Sequence, residues 1–76
     1  MGMTAAEFTA RLAKALGTEA PTGDEVDDLL ALAAAAAHAS ERTAAPVACW
    51  LAARAGRHPR EALLLARGIA QRPPAG

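Results

Sequence analysis

The sequence predicts an all-α protein, a small bundle of about four short helices, and three observations carry that expectation. Apolar residues recur at helical rather than alternating spacing along most of the 76 residues. Alanine, the strongest helix former, fills 23 positions. Start and stop residues then divide the chain into four helical stretches, and no strand pattern or internal repeat falls among them.

The first helix starts at Thr4-Ala5-Ala6-Glu7, a capping box in which the Thr hydroxyl and the Glu carboxylate each satisfy a free backbone N–H. Phe8, Leu12 and Leu16 follow at helical spacing, and Gly17 supplies the left-handed exit. A second capping box, Thr22-Gly23-Asp24-Glu25, opens the second helix, with Asp24, Glu25, Asp27 and Asp28 near the positive end of its dipole. Val26, Leu29, Leu30, Ala33 and Ala37 form its expected inward stripe, widened by Leu32 and Ala36, which makes it the expected central helix. Thr43, with Pro46 in the first turn, starts a third helix that runs to about Ala55, presents Val47, Trp50, Leu51 and Arg54 on one face, and stops at Gly56. Pro59 opens the fourth, with Ala62, Leu65 and Ile69 on one stripe and Leu63 and Leu64 beside it, until Arg72-Pro73-Pro74 ends it. The expected organisation is one helical domain over 4–71 and a disordered tail over 72–76.

Composition limits what such a bundle can do. A chain of this length buries only about 60% of the surface that its unfolded form exposes. Alanine makes up so much of the apolar content that few bulky side chains remain for a core. Tight helix packing completed by a protein partner or a second copy is the expected solution. The longest uncharged run, from Leu29 to Ser40, falls well short of the roughly 20 residues that cross a bilayer. No secretory leader pattern is present and the single cysteine has no intrachain partner, so the expected location is cytoplasmic and the membrane is not an expected partner. Net charge is zero, but six acidic residues lie before Ala39 and six arginines after it, a polarity that can steer a partner or join two copies.

Candidate chemistry is sparse. His38 and Arg42, four residues apart, could project from one face at the end of the second helix and hold a phosphate or carboxylate; the competing role is capping of the last carbonyls. Cys49, His38 and His58 carry metal-binding atoms, but their spacing matches neither paired cysteines nor a two-histidine helical motif, so no metal is expected. The apolar neighbours of Cys49 predict a buried, inert thiol. Trp50, with Phe8, is expected to anchor the core, whereas a solvent-facing Trp50 would mark a binding hot spot; Trp50, Leu63 and Leu64 are the candidate interface residues. The third and fourth helices around Ala55-Gly56 also have a helix-turn-helix outline, but Leu63-Leu64-Leu65 sits where a polar recognition face belongs and there is no net positive charge, so nucleic acid is an unlikely partner. No catalytic set and no cofactor motif is present, and the chain reads as non-enzymatic.

The stretch Asp28-Leu29-Leu30-Ala31-Leu32-Ala33, followed by Ala37-His38, Glu41-Arg42, Ala44-Ala45-Pro46, Leu51 and Ala55-Gly56, resembles a small actinobacterial helical domain family of unknown function, domain of unknown function family 6457. The resemblance covers roughly Phe8 to Ile69, and its defining part is the His38 to Pro46 segment. Where that family frequently has Pro directly after the Arg, this chain has Thr43. The resemblance implies a supporting role in molybdenum cofactor assembly or delivery, because some relatives are encoded beside, or fused to, molybdenum-cofactor guanylyltransferase-like proteins and formate dehydrogenase accessory factors. Only His38, Arg42 and Pro46 carry over, and the resemblance gives the His/Arg pair a possible phosphate-bearing ligand.

Overall fold

The computed structural model describes residues 2–72. Four helices, and no strand, are found among the described residues: α1 (Ala5–Leu16), α2 (Gly23–Ala39), α3 (Ala44–Arg54) and α4 (Pro59–Ala70). The described residues are all-α as expected, and local chemistry accounts for most of the boundaries. Both capping boxes form: Thr4 Oγ1 accepts from Glu7 N–H and Thr22 Oγ1 from Glu25 N–H, each at 3.1 Å, while each Glu carboxylate reaches back to the cap N–H. Gly17 ends α1 at φ 75°, and Gly56 turns the chain after α3 at φ 69°, a region that a β-carbon disfavours. Pro59 occupies the first turn of α4, and His58 caps that helix through Nδ1, which accepts from Arg60 N–H at 3.0 Å. Thr43 precedes α3 without a side-chain cap.

Helix α2 is central and packs against both α3 and α4, which touch each other less. The short Ser40–Thr43 link returns α3 antiparallel to α2. Helix α4 runs parallel to α2: Arg60 Nη1 lies 3.6 Å from Asp28 Oδ1 near the start of both, and Ala35, Ala36 and Ala39 share one cleft with Ala66, Ile69 and Ala70 near their ends.

Among the described residues the core cluster is Leu32, Ala52 and Leu63, with Leu32 only 2% exposed and Ala31, Ala35, Ala48, Cys49, Ala62 and Ala66 packed around them; Ala13 of α1 is also buried but lies outside that cluster. This overturns the expected orientation of α3. Val47, Trp50 and Leu51 are more than half exposed, while the Ala48, Ala52 and Cys49 side turns inward. The reason is steric: α2 presents Ala31 and Ala35 toward its neighbours, and methyl-sized side chains on both helices permit the close approach that a short connection requires. Leu30, expected in the inward stripe of α2, is likewise exposed.

Phe8 does not anchor a core. Among the described residues α1 packs against none of the other helices, so Phe8, Leu12 and Leu16 all face solvent. The radius of gyration is 13.8 Å and the extents are 46 × 29 × 18 Å. A spherical domain of this length would have a radius of gyration near ~11 Å. Of the expected tail, 73–76 lies outside the described residues, and Arg72 is tied back by a hydrogen bond from Nε to Gly68 O at 3.3 Å.

With so small a core, the cost of truncation depends on position. Leu32→Ala is expected to destabilise the protein by about 2–5 kcal/mol, and Leu30→Ala, two residues away on the exposed side, by less than about 0.5 kcal/mol. Equilibrium denaturation of the two variants followed by circular dichroism checks the contrast.

Candidate functional site

The small residues that draw the helices together also decide what is left outside. On α3, Ala48, Ala52 and Ala55 recur at helical spacing; on α4, Ala62 and Ala66 do the same. These five residues and Leu32 form the bed of a groove of about 250 Å³ between α3 and α4. Leu51 stands on the α3 side, Leu65 and Ile69 on the α4 side, and each is more than half exposed. Among the described residues, Arg57 is the one charged group that lines it. Ala48, Ala66 and Ile69 also line a neighbouring cleft of about 630 Å³ that continues past Ala35, Ala36 and Ala39 to Arg72, so the apolar surface runs along most of α4.

The charged groups nearby are largely engaged. Arg57 pairs with Glu61 one turn into α4, and Arg60 reaches Asp28 on α2. The guanidinium of Arg54 lies over the Trp50 ring, 4.9 Å from its centroid, which covers one face of an indole that is 56% exposed.

Of the expected site residues, His38 sits in the last turn of α2 and is exposed. Arg42 is not on that helix. Ser40, at φ −142° and ψ −98°, breaks α2 after Ala39, its Oγ donating to Ala36 O at 2.7 Å, and Arg42 falls in the following turn. Helical spacing therefore no longer places the pair on one face. Among the described residues neither side chain makes a hydrogen bond or ion pair, and neither lines one of the clefts described here. Trp50 and Leu64 are solvent-facing, as interface candidates must be. Leu63 is not: at 3% exposure it belongs to the core, because it occupies the α4 position directly opposite Leu32 and Ala52.

Cys49 is half-buried, its Sγ donating a weak hydrogen bond to Leu29 O at 3.8 Å, and burial pushes its thiol pKa up. Among the described residues no three His, Cys, Asp or Glu side chains gather as a metal would need. Among the described residues no helix is long and apolar enough to cross a membrane.

The family described as Domain of unknown function (DUF6457) matches residues 2–74. The chain belongs to that family. No curated protein and no solved structure matches it. Within this DUF6457 domain, the groove residues Leu51, Leu65 and Ile69 are the ones that reading the sequence as amphipathic helices misses, since large apolar residues at helical spacing look like core. The signal that points to them is the alanine series one position away on each helix.

Raised by desolvation, the Cys49 pKa leaves less thiolate at a given pH than a free thiol has. Reaction with a neutral aromatic disulfide at pH 8 is expected to be several-fold slower than for a small free thiol. It should recover to the free-thiol rate when the protein is unfolded in denaturant; an absorbance time course checks both rates.

Proposed function

We propose that this chain is a non-enzymatic interaction module that seats an apolar helix of a protein partner in the groove between α3 and α4. The observation that carries the reading is the pairing of a bed of small residues, Ala48, Ala52, Ala62 and Ala66, with exposed Leu51, Leu65 and Ile69 at its sides. A helix in a groove is anchored by apolar side chains at positions i, i+4 and i+7, and a methyl-lined bed lets it approach closely. Exposed apolar residues scattered singly are ordinary, but a continuous strip along a helix pair is characteristic of a contact surface.

The partner class follows from the family resemblance. A module of this kind supports molybdenum cofactor assembly or delivery by docking on a guanylyltransferase-like protein or a formate dehydrogenase accessory factor, bringing two components together rather than acting on the cofactor itself. The apolar exterior of α4 favours this over nucleic-acid binding: Leu64, Leu65 and Ile69 occupy its exposed side, while Arg57 and Arg60 are held in ion pairs.

Leu65→Glu places a charge in the groove without touching the Leu32–Ala52–Leu63 core. Calorimetric titration of a molybdenum-cofactor guanylyltransferase-like protein is expected to give saturable binding by the wild type, weakened at least tenfold by Leu65→Glu with the helical circular dichroism unchanged. Equal binding by the two proteins, or none by the wild type, would reject the proposal.

A further inference from the structure

Among the described residues three of the four helices start on a side-chain cap, and the cap of α4 differs in kind from the other two. Thr4 and Thr22 cap with hydroxyls, and α3 starts without a side-chain cap. At α4 the acceptor is an imidazole, whose Nδ1 on His58 takes the Arg60 N–H at 3.0 Å. Pro59 brings no N–H of its own, so Arg60 offers the first free donor of this helix. The extended backbone of His58, at φ −62° and ψ 142°, is the conformation in which a capping side chain folds back over that donor. An imidazole nitrogen accepts only while it carries no proton, so the capping ring is the neutral form with its hydrogen on Nε2.

We infer that His58 makes the corner between α3 and α4 a pH-sensitive joint, locked by the neutral ring and released by its protonation. Histidine is the side chain whose ordinary proton exchange falls between pH 8 and pH 5. A proton on Nδ1 sets donor against donor at the Arg60 N–H, and it places a positive charge at the positive end of the α4 dipole. Both effects have the same sign: the cap is present at higher pH and is lost as the pH falls.

The charged groups around the corner are Arg57, Arg60 and Glu61 in the adjoining chain, Glu25 and Asp28 from α2, and Glu19 from the link before α2. Arg57 pairs with Glu61, Arg60 reaches Asp28, and the Glu25 carboxylate accepts from Thr22 N–H, so three of these four carboxylates already serve another group. From α3, Arg54 is turned to the Trp50 ring. Arg57 with Glu61 and Arg60 with Asp28 are also the two pairs that tie the start of α4 to the corner and to α2. Release of the first turn loosens both.

Two measurements on the full chain test the joint. In long-range proton–nitrogen spectra at pH 8 the His58 ring is expected as the Nε2–H tautomer, and the Arg60 amide resonance is expected to follow the titration of that ring. Urea unfolding at pH 8 and pH 5 then compares the wild type with His58→Asn, whose amide oxygen caps at either pH. A cap of ordinary strength changes the folding constant about fivefold, so the wild-type constant is expected to fall about fivefold more than that of the variant over this interval. His38 and the carboxylates titrate in both proteins and drop out of the difference. An equal fall in the two proteins, or a His58 ring protonated on Nδ1 at pH 8, would overturn the inference.

Discussion

The contact of Leu32 with Ala52 and Leu63 is the constraint on which the rest of the molecule depends. One large side chain from α2 and one from α4 meet over a methyl group of α3, and every other buried neighbour is an alanine or the half-buried cysteine. Alanine stabilises each helix by propensity and lets the axes come close, but it removes little apolar area from water. The association of α2, α3 and α4 therefore rests on close approach at a few positions rather than on a broad interlocking of bulky residues.

The exterior follows from the same constraint. Once the small faces of α3 and α4 turn inward, Leu51, Leu65 and Ile69 have no place in the core and stand beside the alanine bed they flank. Trp50 is carried to the outer face, where its ring is shared with Arg54. The same shortage leaves α1 without a partner in its own chain. A docking groove and an unseated amphipathic helix are thus two products of one packing choice, and both put apolar surface where another helix can cover it.

Much of the fold was legible in the sequence because helix ends are local chemistry. The capping boxes at Thr4 and Thr22, the exits at Gly17 and Gly56 and the start at Pro59 all depend on residues within four positions of one another, and each formed as read. The choice of buried face was not legible, because α3 has both a bulky side, Val47 and Trp50, and a small side, Ala48 and Ala52. Which one turns inward depends on what α2 presents across the gap. His38 and Arg42 share a face only if α2 continues past Ser40, and the backbone of Ser40, at φ −142° and ψ −98°, leaves the helix there. His58, whose spacing from His38 and Cys49 gave it no metal-ligand role, caps α4 through its ring nitrogen.

The central claim is that α2, α3 and α4 form one cooperative unit around Leu32 while α1 belongs to it only through the chain. Amide hydrogen exchange on the wild type, diluted until light scattering reports single chains, addresses this most directly. Amides in the middle of α2, α3 and α4 are predicted to share one high protection level, and those of α1 to exchange at close to the rate of an isolated helix of its length. Protection of α1 equal to that of α2 in the diluted protein would contradict the account.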